Sequence, residues 1–172
     1  FILPSPPEIP KLKIVPGNNR IDLYWSGNSE NSIDPISNTK DFEGYRIYMT
    51  ALGFDISSGS DALSSLKLIA QFDLSGNSYF LNTGFKTITL TEPIIFDGDS
   101  VIYNYRYSIE GIPNGWQSAI ALTSFDTGDK DNNVESLESS LLASMKRVFP
   151  GTPANEDIGQ KAPFVYPNPY YI

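Results

Sequence analysis

Val101-Ile-Tyr-Asn-Tyr-Arg-Tyr-Ser-Ile109 places Val101, Tyr103, Tyr105, Tyr107 and Ile109 at every second position. Side chains of an extended chain point alternately to its two faces, so this period predicts a strand with an aromatic face turned to a core. The flanks agree. Asp97-Gly-Asp99 is turn chemistry that launches the strand, and Asn114-Gly115 is a strong hairpin signal. After it, Ser118 to Phe125 alternates again, with Ile120 and Leu122 inward. Upstream, Lys11 to Val15, the turn Pro16-Gly-Asn-Asn19, and Ile21, Leu23 and Trp25 read as two strands and a tight connection. Gly44 to Thr50 follows, with Tyr45, Ile47 and Met49 on one face and Arg46 and Tyr48 on the other. Leu66 to Asp73 and the shorter Phe85 to Leu90 add two more. Some seven short strands separated by turn signals predict an all-β fold, a β-sandwich. Its expected core is Leu23, Trp25, Tyr45, Ile47, Tyr105, Tyr107, Ile120 and Leu122.

The intervening segments are polar and without period. Residues 26 to 41 are rich in Asn and Ser and read as a loop, as do residues 53 to 65. Leu3-Pro-Ser-Pro-Pro-Glu-Ile-Pro10 has prolines that fix φ and remove donors, which predicts an extended polyproline-like segment; residues 1–6 are expected to be linker and residues 7–150 the domain. Residues 151–172 are read as a second linker, polar from Gly151 to Lys161, leading into a following domain or a donor strand. One segment conflicts with a purely β reading. Val134, Leu137, Leu141, Leu142, Met145 and Val148 recur at helical spacing, with Glu135 and Glu138 early and Lys146 and Arg147 late, which suggests a helix over 134–147. Against it, a sandwich needs a strand to cover the edge of the 118–125 strand, and the expectation adopted is a strand within Leu141 to Phe149.

The chain has 172 residues, 12 Lys and Arg against 20 Asp and Glu, a net charge of −8, and neither His nor Cys. A Ser-His-Asp triad, a thiol nucleophile, a disulfide and a thiolate zinc site are therefore excluded. Nucleic acid and anionic membrane are poor partners for a chain this acidic, because both are bound by cations that neutralise phosphate. No apolar run is long enough to span a bilayer, so membrane insertion is not expected, and the start at Phe1 suggests a piece of a longer chain.

Several stretches resemble a known family. Pro7 to Trp25, Asp41-Phe-Glu-Gly-Tyr-Arg-Ile-Tyr48, Ile109 to Gly115 and Ala119 to Asp129 are similar to a fibronectin type III domain, an immunoglobulin-like β-sandwich, of the variety found in large exported proteins of Bacteroidetes. Trp25 matches the family's buried Trp and Gly44 to Tyr48 its Gly-Tyr-x-Ile-Tyr run. In that family an apolar residue and, six residues on, a corner Tyr join two strands. Ile112 matches the first, but Ser118 stands in the second place, which leaves Trp116 to fill the space. Residues 74 to 100 exceed the family's length and suggest an extra hairpin insertion. A second resemblance lies in Val165-Tyr166-Pro167-Asn168-Pro169-Tyr170, which looks like the start of the sorting domain of type IX secretion substrates and implies an extracellular or cell-surface location.

Candidate sites are few. Asp126, Asp129, Asp131 and Asn133 place hard oxygen donors at alternate positions of a loop, the beginning of a calcium site, although Val134 stands where an EF-hand requires Gly and Ser140 where it requires Glu. The same residues equally suit a solvated turn. Glu30, Asp34, Asp41 and Glu43 form a second acidic group. Trp116, Tyr24, Tyr48 and Tyr79 are candidates for stacking on sugars, Trp116 and Tyr48 foremost, although strands favour aromatics on both faces. Tyr166, Tyr170 and Tyr171 are assigned to the next domain. Asp99-Ser100-Val101 resembles the acceptor of Bacteroidetes O-glycosylation, at Ser100. Chance pairs of carboxylates are inevitable among so many acids, and none sits in a hydrolase motif. The sequence thus predicts a non-catalytic module without cofactor unless calcium binds, with protein partners or its own neighbouring domains. The alternatives are self-assembly by strand exchange and polysaccharide binding.

Overall fold

A computed structural model describes residues 3–36, 38–51, 59–129 and 133–151. Eight strands are present: β1 (Leu12–Gly17), β2 (Arg20–Trp25), β3 (Phe42–Met49), β4 (Lys67–Asp73), β5 (Thr89–Ile94), β6 (Tyr103–Glu110), β7 (Ser118–Asp126) and β8 (Lys146–Val148). They form two four-stranded antiparallel sheets in the orders β1-β2-β6-β5 and β4-β3-β7-β8, the expected all-β sandwich. Three short helical pieces interrupt them: a 3-10 turn (Gly27–Asn31), α1 (Gly59–Ser65) and α2 (Leu141–Ser144).

The period-two faces meet between the sheets. Leu23, Trp25, Tyr45, Ile47, Ile120 and Leu122 are fully buried, Tyr105 nearly so and Tyr107 partly. Trp25 lies 5.7 Å from both Tyr45 and Tyr105, ring centroid to centroid, so one aromatic cluster bridges the two sheets. Burial of each such side chain contributes roughly 1.5–3 kcal/mol, which makes this cluster the main reason the sheets stay together.

Three expectations need correction. Residues 74–100 supply one edge strand, β5, rather than a hairpin, because residues 74–88 fold as turns around buried Asp73, whose carboxylate accepts the amides of Leu81 and Thr83 at 2.6 Å. The helical spacing of 134–147 yields only the four-residue α2. Phe125 pairs with Glu138 and Ile120 with Lys146, so five residues along β7 face eight along the returning chain. The three extra residues loop out as α2, and Met145 packs with Ala62 and Ala119 beneath α1. Strand pairing on both sides of α2 covers the β7 edge, in line with the strand expectation for the end of this segment. Finally, Trp116 does not fill the corner. It is 51% exposed, Ile112 is buried, and the Ser118 hydroxyl is buried without a hydrogen-bond partner among the described residues.

The proline-rich start is fastened to the body. Ser5 N–H donates to Asp34, Glu8 N–H donates to the Ser32 hydroxyl at 2.8 Å, and Ser124 donates to the Glu8 carbonyl at 2.7 Å. At the other end Gly151 N–H donates to the Gly17 carbonyl at 3.1 Å.

Candidate functional site

The acidic loops meet at the end of the sandwich where β3 begins and β7 finishes. There, Asp34, Asp41, Glu43, Asp126 and Asp129 line a cleft of about 600 Å³, together with Pro4, Asn77 and Tyr79. Asp126 is 2% exposed and Glu43 1%, an unusual depth for carboxylates. Their partners explain how they are tolerated. Asp126 Oδ1 accepts the amides of Gly128 and Leu137 at 2.9 and 2.7 Å, and Glu43 accepts both of its contacts, at 3.0 and 2.9 Å, from Asn77 Nδ2.

Burial sets the electrostatics. It is the largest influence on Asp41, which the neighbouring Asp126 and Asp34 carboxylates help push up to about 6, against the pull of Asp41's own backbone amide. Asp126 is raised by burial and by Asp34, although the Leu137 and Gly128 amides oppose the rise. Glu43 is raised by burial and by Asp73, with Asn77 opposing. Asp73 behaves in the opposite way: burial would raise it, but hydrogen bonds from the Thr83 hydroxyl and from the amides of Thr83 and Leu81 hold it below the ordinary range. The cleft therefore concentrates negative charge that its own fold disfavours.

The described part of the calcium-like loop serves a turn. Asp129 and Val134 exchange backbone hydrogen bonds at 2.9 and 2.8 Å, Asn133 takes a left-handed φ of 58°, and Gly128 has φ 65°. A Cβ on Gly128 would stand 2.6 Å from the Val134 carbonyl, so the turn requires glycine there. Asp131 and the run Val165, Tyr166, Pro167, Asn168, Pro169 and Tyr170 lie outside the described residues. Among the described residues, no group of three or more acidic side chains is arranged to hold a metal ion.

The two stacking candidates lie on different elements. Trp116 projects from the β6–β7 connection, whereas Tyr48, half-buried on the outer face of β3, donates its hydroxyl to Glu138 at 2.7 Å. Burial and then the Glu138 carboxylate raise the Tyr48 phenol well above its ordinary value. Glu138 also receives Arg46 and Thr123, and the Arg46 guanidinium lies 4.0 Å from the Phe125 ring centroid. Tyr48 is thus committed to a covered polar network. Ser100 is exposed beside Asp99, whose carboxylate accepts from Val101 N–H and from Tyr103.

Glu30 has a role that its place in a polar loop did not suggest. Its Oε1 accepts the hydroxyls of Tyr45 at 2.9 Å and Tyr105 at 2.6 Å, and so caps the aromatic cluster. Burial, followed by Glu30, drives both phenols far above the usual range. The one available sequence signal was a pair of inward tyrosines on different strands, which need a polar partner once buried.

This geometry defines a β-sandwich module with an acidic pole. No protein-family model matches the chain, and no curated protein matches it.

Proposed function

We propose that the chain is a non-catalytic module of an exported surface protein, fibronectin type III-like and placed in line between neighbouring domains as a spacer. One observation carries this reading: the chain enters beside Asp34 at one end of the sandwich and leaves beside Gly17 at the other. The length of β1 separates these points, about 20 Å at ~3.3 Å per residue. A module threaded this way transmits position from one neighbour to the next. The sequence likeness to the type IX sorting domain supports export to the cell surface, and calcium in the acidic cleft is not required.

The sheet edges favour this reading over assembly by strand addition. β1 carries Lys13 and Pro16, β5 carries Glu92 and Pro93, and β8 is three residues long with Lys146 and Arg147. β4 has a register shift opposite Ile47 and Tyr48, and the Thr83 hydroxyl and Gly84 amide cover its Asp73 end. Each device obstructs edge-to-edge pairing.

Single-molecule energy transfer between dyes on Leu3→Cys and Gly151→Cys tests the spacer, since the native chain has no Cys to interfere. One narrow population, unchanged by salt, is expected; a broad distribution would remove the in-line reading. The exposure of Trp116 favours a second reading, polysaccharide binding. It predicts glycan-array signals that vanish in Trp116→Ala while the melting temperature stays put.

A further inference from the structure

The fastened N-terminal segment has its own periodicity. Pro7 and Pro10 are buried and Pro4 is half-buried, while Ser5, Pro6, Glu8 and Ile9 are exposed. Every third residue faces the body. That is the repeat of a polyproline II helix, which has three residues per turn, and proline fixes φ near the value this helix needs.

A polyproline II chain makes no internal hydrogen bonds, so its backbone groups must be satisfied from outside. Here side chains of the body do so. Asp34 accepts from Ser5 N–H at 3.2 Å and Ser32 from Glu8 N–H at 2.8 Å. The Ser124 hydroxyl reaches the carbonyls of Pro7 and Glu8 at 3.3 and 2.7 Å, Ser29 donates to the Glu8 carbonyl at 2.6 Å, and Asn28 Nδ2 donates to the Ile9 carbonyl at 3.0 Å. The Glu8 carboxylate adds a contact with Asn28. Recognition thus runs mainly through the ligand's main chain and through prolines at positions i, i+3 and i+6. The track is composed of side chains from both sheets: Asn28 to Asp34 follow β2, and Ser124 belongs to β7. It differs in kind from a strand edge, which would read a ligand backbone with its own.

We propose that this track is a polyproline II binding site. Its resident ligand is the chain's own Pro4–Pro10, and it takes the same Pro-x-x-Pro-x-x-Pro segment from a second copy when the resident one is displaced. The inference stands apart from the spacer reading, since the track exists whatever the module connects.

The test uses a dye-labelled synthetic peptide, Leu-Pro-Ser-Pro-Pro-Glu-Ile-Pro, and the full chain with its own segment weakened by Pro7→Gly and Pro10→Gly. Fluorescence anisotropy should show saturable binding to this variant, at least about tenfold tighter than to the unaltered chain, where the tethered segment competes at an effective concentration of roughly millimolar. A peptide with alanine in place of the first, fourth and last prolines' equivalents in the track (Pro4, Pro7 and Pro10) should bind at least about tenfold more weakly. Absence of saturable binding to a variant that still melts cooperatively, or equal binding of the alanine peptide, would overturn the proposal. Should the double variant fail to fold, hydrogen exchange in Ser32→Ala decides. The Glu8 amide should exchange at least about tenfold faster while the amides of β2 and β6 stay protected, and unchanged exchange at Glu8 would refute the track.

Discussion

Tyr45 and Tyr105 stand on opposite sheets with ring centroids 5.5 Å apart, and their hydroxyls converge on the same oxygen of Glu30. The two sheets are therefore joined at this end by a carboxylate as well as by apolar contact. Glu30→Ala would leave two deeply placed hydroxyls without their acceptor. Each such loss costs about 1–3 kcal/mol, so a destabilisation of roughly 2–4 kcal/mol is expected by urea denaturation. Tyr45→Phe and Tyr105→Phe should cost less singly and combine non-additively, because they share one partner.

Stability should rise on mild acidification. Asp41, Glu43 and Asp126 bind protons more readily in the folded state than in the unfolded one, so the folded state holds more protons between about pH 4 and pH 6, and stability is lost as pH climbs through that window. Below the ordinary carboxylate range the sign reverses. Asp22 and Asp73 are held low, Asp22 by Ser108 and Arg106 acting against burial, and their contribution disappears as they protonate. Melting temperature should therefore peak near pH 4–5. Asp41→Asn should raise it by a few degrees at pH 7 and flatten the slope between pH 5 and pH 7; an unchanged slope would contradict the assignment.

Gly44 is expected to tolerate no side chain. An added Cβ would lie 2.9 Å from both Asp73 Cα and Phe125 Cζ, and closer still to the Phe72 carbonyl oxygen. Backbone on one side and a buried ring on the other cannot both withdraw, so Gly44→Ala should cost about 3 kcal/mol or more by chemical denaturation.

Calcium should leave the melting temperature unmoved, and so should chelator. The described residues of the 126–134 loop spend their geometry on a turn, and a ligand that bound only the folded chain would have to stabilise it. An upward shift at millimolar calcium would show that the loop does bind the ion.

Much of the fold was legible because period two is a strong signal. Trp25, Tyr45, Ile47, Ile120 and Leu122 all lie where alternation put them. The helix over 134–147 was over-read for a physical reason: a strand interrupted by a looped-out turn, with Met145 packed under α1, produces apolar spacings close to those of a helix face. Glu30, Ser32 and Ser124 were not legible as functional groups. Their partners are 15 to 117 residues away in sequence, and a hydrogen bond across such a distance leaves no local pattern. The acidic cleft was half legible, since the two acidic loops were visible but their convergence depends on the pairing of β3 with β7.

The three residues looped out at α2 have one more consequence. They divide the last strand into two short ladders, so the final three pairs, Ser118 with Val148 through Ile120 with Lys146, are held separately from those around Phe125. A seam divided in this way can part at its far end without disturbing the rest. The exit of the chain then behaves as a releasable hem, and the first motion under load or warming would be the lifting of β8 while the aromatic cluster stays closed.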